Sequence, residues 1–509
     1  MRTRIAVAVT CLATLVGCAE TSSAACNAIP IFADGIAPTN ELHVSPSGSD
    51  QTGDGSMGNP FATIDRAADQ AAPGTAVIVH AGTYAGGAYI NDLAGAAAAP
   101  IWIGGAPSED RPVIEGGSEG LHFVKASYLV LHDLEVRNVS QNGINCDDGG
   151  DYANPLASHH LVFDNLYIHD VGGTGNQDGL KLSGINDFVV KNCEMTRCGG
   201  AGSGSGIDMV GCHQGVIAGC YFHDLSANAV QCKGGSEDVE IRWCRMTEVG
   251  ERGVNIGGST GFEYFRPPLL TTEPNYEARD IRVLANVIEG GTASLAFVGC
   301  IDCVATNNTI VNPHNWILRI LQETTSSGSY TFLECADNTV ENNLVYFDRS
   351  DLSTYVNIGP NTEPATFAFT ANLWYAHDNP SASEPTLPAP ETAGLYGLNP
   401  DLRDPAAGDY RIEATSPAAG VGVGPARISG DRCGTCFVNP PSIGAYEVPL
   451  PGDFNCDGAV TLADYPHLAA CLTGPAEAAA SACLDANLTA PASIDLRDFA
   501  LFQAIFAPE

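Results

Sequence analysis

Lysine is almost missing from this chain: Lys125, Lys181, Lys191 and Lys233 are the only four in 509 residues. Lys and Arg together number 23 against 59 Asp and Glu, a formal net charge of −36. A nucleic-acid binder needs a basic face to neutralise phosphates, so that partner is excluded. After the first residues no apolar run is long enough to cross a bilayer, which excludes a later transmembrane helix. No second CxxC stands at zinc-finger spacing from Cys300-Ile-Asp-Cys303, so those thiols read as structural. His169-Asp170 and His223-Asp224 each follow the second strand of a unit, and both pairs read as corner hydrogen bonds. What remains is ample apolar material, 44% of residues, with 56 Gly and 31 Pro. That composition describes a large folded domain plus something smaller, neither disordered nor collagen-like.

Residues 1–26 open with two arginines and a short apolar run, the pattern of an export signal. Within it Leu15-Val16-Gly17-Cys18 resembles a bacterial lipobox, which implies a lipid on Cys18. Cleavage near Ser23-Ala24-Ala25 would instead release a soluble protein. Either route predicts a secreted or cell-surface chain, and a monomer is expected. In the loop-rich C-terminal sequence, Cys433 with Cys436 and Cys471 with Cys483 are the disulfide candidates.

The chain repeats itself. Gly120-Leu-His-Phe, Gly143-Ile-Asn-Cys, Gly179-Leu-Lys-Leu, Gly206-Ile-Asp-Met, Ala229-Val-Gln-Cys and Gly253-Val-Asn-Ile share one pattern: small, apolar, polar, apolar. Their starts lie 23, 36, 27, 23 and 24 residues apart, and a second short strand follows in each unit. Alternating strands with Gly-rich corners, and no helical periodicity between them, predict a coil whose turns stack as parallel sheets. The expected fold is therefore all-β, a right-handed parallel β-helix over residues 40–447. Equivalent residues then stack about 4.8 Å apart, so Asn286, Asn308 and Asn343 should form an inward amide ladder continued by Cys193, Cys220 and Cys244.

The segments Glu41–Asp50, Ala62-Thr-Ile-Asp-Arg-Ala-Ala and Gly82-Thr-Tyr resemble the cap and first turns of secreted pectate-lyase-like β-helix proteins. That resemblance implies a short amphipathic helix plugging the open end. Residues 409–447 resemble the end of such domains.

Beyond Pro449 the composition changes. Asp453-Phe-Asn455-Cys-Asp457-Gly-Ala-Val-Thr461-Leu-Ala-Asp464 places hard oxygen donors at positions 1, 3 and 5, glycine at 6 and a carboxylate at 12, a calcium loop. With a helix-like stretch behind it and a looser copy from Asp485 to Asp498, residues 448–509 resemble a dockerin, a small α-helical EF-hand domain. The resemblance implies bound Ca2+ and a cohesin or other cell-surface scaffold as partner.

In the repeat frame one outward column carries His122, Asn145, Lys181, Asp208, Gln231 and Asn255. The next carries Asp147, Ser183, Val210, Lys233 and Gly257. Two scarce lysines thus share a face with Asp208, while Asp178 precedes Lys181 and Asp148 follows Asp147. β-Elimination on a uronic acid asks for a cation to neutralise the carboxylate and a lysine to remove the acidified proton. Asp147, Asp148, Asp178 and Asp208 are the candidate calcium ligands, and Lys181 or Lys233 the candidate base. Asp178-Gly-Leu-Lys181-Leu-Ser-Gly is similar to the lysine motif of one β-helix pectate lyase family. Cys232-Lys233-Gly-Gly-Ser-Glu-Asp-Val239 is similar to the lysine strand of chondroitinase B-like and alginate lyases, although the arginine expected a turn later is replaced by Asn255-Ile-Gly-Gly. The expected activity is a polysaccharide lyase acting on an acidic polysaccharide. A glycoside hydrolase with paired aspartates and a non-catalytic carbohydrate-binding or structural surface protein are the alternatives.

Overall fold

In the computed structural model, residues 26–173, 175–448, 451–454, 460–472, 474, 486–489 and 493–505 are described. Residues 1–25 with Cys18, and Asn455, Asp457, Cys483 and Asp485 of the C-terminal region, lie outside these residues.

Alternation of apolar and polar residues builds the coil. Strands Leu121–Val124, Ile144–Asp147, Leu180–Ser183 and Val230–Lys233 each bury their first and third side chains and leave the second and fourth facing outward. Stacked turn on turn, such strands form three parallel sheets of 14, 10 and 12 strands, one long apolar core running between them. The small residue opening each repeat has a steric cause. A Cβ on Gly143 would sit 2.5 Å from the Gly179 carbonyl oxygen, and one on Gly179 would sit 2.8 Å from that of Gly206.

The corner between the first and third sheets is equally regular. Asp133, Asn165, Asn192, Asn307 and Asn342 occupy it with φ between 53° and 55°, the left-handed conformation that Asn and Asp tolerate best. The residue after each corner points inward, and its backbone N–H finds its partner on the next turn. Asn286 N donates to Asn308 Oδ1 at 3.0 Å, Asn308 N to Asn343 Oδ1 at 2.9 Å, and Asn343 N to Asn372 Oδ1 at 2.9 Å. The amide nitrogens bond along the same row, Asn286 Nδ2 to Asn308 Oδ1 at 3.0 Å and Asn308 Nδ2 to Asn343 Oδ1 at 2.9 Å. The expected ladder is present and longer than expected: Asn372 extends it, and Glu391 Oε1 ends it by accepting from Asn372 Nδ2 at 2.7 Å. Cys193, Cys220 and Cys244 continue the row as buried thiols, the expected structural role.

Helix Ile64–Ala68 buries Ile64, Ala67 and Ala68 in the main core beside Val44 and Val77. The far end is built differently from the first. Coil strands stop at Leu395–Tyr396, and the chain then runs back along the outside of the corners. Trp243 Nε1 donates to Gly430 O at 2.9 Å, and Asn307 Nδ2 to Ser442 O at 2.9 Å. Ile428 packs on Trp243 and Ala285. Those two corners carry apolar residues in the left-handed conformation, and the returning segment covers them.

Two cysteine expectations are corrected. Cys436 pairs with Cys26, not Cys433, across a sequence separation of 410. Cys26, expected at the end of an export signal, is therefore tied to the folded body. The returning segment carries Cys436 to the chain start, a contact that the short Cys433–Cys436 spacing does not reveal.

In the C-terminal region helices Tyr465–Cys471 and Leu496–Ile505 enclose a small core of Val460, Leu468, Ala486, Ile494 and Phe502. Asp464 accepts from Phe454 N and Thr461 N, at 2.7 and 2.8 Å. Asp498 repeats the arrangement with Thr489 N and Asp495 N, also at 2.7 and 2.8 Å. Among the described residues no helix is long and apolar enough to cross a membrane.

Candidate functional site

The second sheet carries the outward residues in the predicted register. Asn145 pairs with Lys181, Lys181 with Asp208, Asp208 with Gln231 and Gln231 with Asn255; Val210 pairs with Lys233 in the neighbouring column. Over these columns lies a pocket of about 520 Å3. Its floor is Asn145, Lys181 and Lys233, one wall is Asp147 to Tyr152, and the other is Ser259 to Arg266.

Lys181 and Lys233 converge on one carboxylate. Lys181 Nζ hydrogen-bonds Asp208 Oδ2, and Lys233 Nζ lies 3.2 Å from the same oxygen. Lys181 Nζ also lies 3.6 Å from Asp178 Oδ2. The lysine side chains are 18% and 12% exposed, whereas Asp178 and Asp208 are each 1% exposed. The cations therefore face the pocket and the carboxylates sit beneath them. Burial pushes Asp178 up, helped by the Asp208 charge, to about 7. Burial also acts to raise Asp208, but the two ammonium groups outweigh it and hold this carboxyl below its usual range. For Lys181 burial favours the neutral amine, yet Asp208 and Asp178 overcome that and keep it above the ordinary lysine range.

The four aspartates expected to hold calcium here do not form one donor set. Asp148 is taken by Arg266, Nε to Oδ2 at 2.7 Å and Nη2 to Oδ1 at 3.3 Å, and accepts from Gly150 N. Asp147 Oδ2 is 2.7 Å from His122 Nε2, and its other oxygen accepts from Gly149 N. Asp178 and Asp208 are roofed by the lysines. Among the described residues no three His, Cys, Asp or Glu side chains gather to hold a metal ion. These residues do not fit a groove calcium as they stand. The same burial works against a hydrolase built on Asp178 and Asp208, because neither carboxylate reaches the pocket.

Sequence reasoning missed Arg266. Its guanidinium lies 4.1 Å from the Tyr152 ring centroid and its Nη1 donates to Tyr264 O at 2.7 Å, so one side chain joins both walls. A lone arginine 118 residues from its partner leaves no spacing signal. The opposite end of the wall is fixed by buried Glu277, which accepts from Gly234 N and Thr260 N at 2.8 and 2.9 Å. Arg319 shares the outward column but stands beyond Gln231, Asn255 and Ala296, away from the pocket.

The fold and the pocket together define a right-handed parallel β-helix with a polar, lysine-bearing site on one sheet. Residues 42–246 match the family described as Pel9A-like, right handed beta helix region. Among solved structures the chain is similar to pectate lyase Pel9A, with TM-score 0.51 and 17% identity over 81% of this chain and 98% of that one. It is also similar to a rhamnogalacturonan lyase, TM-score 0.47 and 16% identity over 68% and 89% of the two chains. An alginate lyase from Paenibacillus sp. gives TM-score 0.42 and 15% identity over 64% and 97%. At such identities the likeness is one of fold. No curated protein sequence matches the chain.

Proposed function

We propose that this chain is an exported polysaccharide lyase that cleaves an acidic polysaccharide by β-elimination. One observation carries the reading: two of four lysines in a chain of net charge −36 meet on a single buried carboxylate beneath the pocket floor. Lysine so placed is poor surface decoration and good chemistry for a uronate, whose carboxylate must be neutralised before its C5 proton becomes acidic. Lys181, held as a cation by two aspartates, is assigned the carboxylate. Lys233, which shares Asp208 alone, is assigned the proton: it acts as the free amine, its own proton having passed to solvent, and takes the C5 proton to become the ammonium. Abstraction at C5 drives the electron pair into the C4–C5 bond and expels the C4 oxygen, leaving an unsaturated sugar. The likeness in fold to pectate lyase Pel9A supports this assignment of class.

The Cys26–Cys436 disulfide supports an oxidising, extracytoplasmic location. In the C-terminal region, Asp453, Asn455, Asp457, Thr461 and Asp464 are assigned a calcium ion whose role is to hold the loop. A cohesin or cell-surface scaffold is the proposed partner of that module.

The test offers pectate, alginate and chondroitin to the purified chain and follows the ultraviolet absorbance of unsaturated uronate. Product formation by the parent, abolished in Lys233→Ala and weakened chiefly in KM by Lys181→Ala, is expected. Reducing ends without absorbance would mark a hydrolase, and neither signal a binding or structural protein.

A further inference from the structure

The outward row of the second sheet continues past the pocket. Lys181 pairs with Asn145, Asn145 with His122, and His122 with Tyr89. Each step is one coil turn, so Tyr89 stands roughly 14 Å from Lys181 along the axis. The contacts are unbroken. Asn145 lines the pocket, its Nδ2 lies 3.2 Å from His122 Nε2, and the His122 ring meets the Tyr89 ring edge-on with centroids 4.6 Å apart. His122 cannot swing away, because Glu119 holds its Nδ1 at 2.8 Å and Asp147 its Nε2 at 2.7 Å. Ile90, next in the strand, is anchored in the core, while the Tyr89 residue is 58% exposed. The strand Ala88–Asn91 is the first of its sheet, so Tyr89 ends the row. A rigid aromatic face in water, in line with a polar pocket, offers a sugar ring an apolar surface at little entropic cost.

We propose that Tyr89 floors a distal sugar subsite occupied by the same polysaccharide that enters the pocket. An extended chain of linked pyranoses advances by close to one coil turn per residue. With one residue over Lys181, the residue three turns away lies on the Tyr89 ring, and Asn145 and His122 face those between. The inference rests on the pocket being a polysaccharide site, but not on the bond being cleaved.

Calorimetric titration of the full chain, Tyr89→Ala and Tyr89→Phe tests it. The probes are hexasaccharides of galacturonate, of alginate, of chondroitin and of neutral xylan, each with its disaccharide. Tyr89 lies outside the core, so Tyr89→Ala keeps the fold. Expected is a loss of about ten-fold in hexasaccharide affinity for Tyr89→Ala, retention in Tyr89→Phe, and no change for the disaccharide. Parent-like hexasaccharide binding by Tyr89→Ala overturns the subsite and leaves the reading of the pocket standing. Tyr89-dependent binding of the xylan hexasaccharide alone supports the subsite and overturns the uronate reading. Absence of binding to every hexasaccharide overturns both.

Discussion

Arg266 closes on Asp148 through two contacts, Nε to Oδ2 at 2.7 Å and Nη2 to Oδ1 at 3.3 Å, with the two side chains 9% and 2% exposed. The chain makes room for this pair with glycine: a Cβ on Gly184 would meet Asp148 Oδ2 at 2.3 Å, and one on Gly211 would meet Arg266 Cβ at 2.3 Å. Removing one partner of a buried ion pair strands the other charge. Arg266→Ala should therefore lose about 3–5 kcal/mol in urea unfolding. The double variant with Asp148→Ala should lose less than the two single losses added together. A single-variant loss near zero would mean that the wall is held without this pair.

His122 supplies a pH dependence of definite sign. Burial acts to lower the imidazole, but hydrogen bonds and charge from Asp147 and Glu119 prevail and lift it from 6.5 to about 9. The folded chain then holds the proton more tightly than the unfolded one. Stability from this cluster is complete below the unfolded value near 6.5 and is lost as pH rises through about 9. The gap in unfolding free energy between the parent and His122→Gln should be widest at about pH 6 and nearly closed at about pH 10. Nuclear magnetic resonance should find the His122 ring protons titrating well above the usual imidazole range; titration at or below it would contradict the geometry.

The coil was legible because its causes are local and periodic. A small residue opening each repeat and an apolar side chain at alternate positions are each visible in a short window, and so were the outward columns of Lys181 and Lys233. What stayed hidden depends on contacts between distant segments. Arg266 reaches Asp148 from a proline-rich loop, and the segment after Tyr396 packs back on Trp243 and Ala285 through Ile428 and Gly430. The calcium ligand set failed for the same reason: spacing brought Asp147, Asp148, Asp178 and Asp208 to one face, but His122, Arg266 and the lysines had already claimed them. Glu391, the terminus of the ladder, follows an irregular Pro-rich stretch that masks its turn.

The ladder makes a further prediction. Asn308 Oδ1 accepts from Asn286 N and Nδ2, while its own Nδ2 donates to Val283 O and Asn343 Oδ1, both at 2.9 Å. Asn308→Leu keeps the bulk but strands several buried groups, each worth about 1–3 kcal/mol. A loss of roughly 3 kcal/mol or more is expected in chemical denaturation. Cys220→Ala in the same row leaves only a small cavity and should cost about 1–2 kcal/mol. Equal losses would show that the row is held by packing alone.

The C-terminal module gives the sharpest metal test. Asp453 and Asp464 are both buried, 3% and 0% exposed, in the segment whose spacing calls for calcium. Carboxylates taken out of water in so acidic a chain gain most from a divalent cation, and hard oxygen donors around a tight turn favour Ca2+. Asp498 closes the second half as Asp464 closes the first, yet the second half lacks the Asp-Gly of the first loop, having Thr489-Ala-Pro instead. Calorimetry on the full chain should therefore find one calcium ion, lost in Asp453→Ala and retained in Asp498→Ala. Limited proteolysis should cut residues 448–509 faster in chelator than in calcium, with the coil unaffected. A stoichiometry of two would extend the site to the second half. No heat and no protection would remove calcium from this protein and leave Asp464 and Asp498 as turn-closing acids alone.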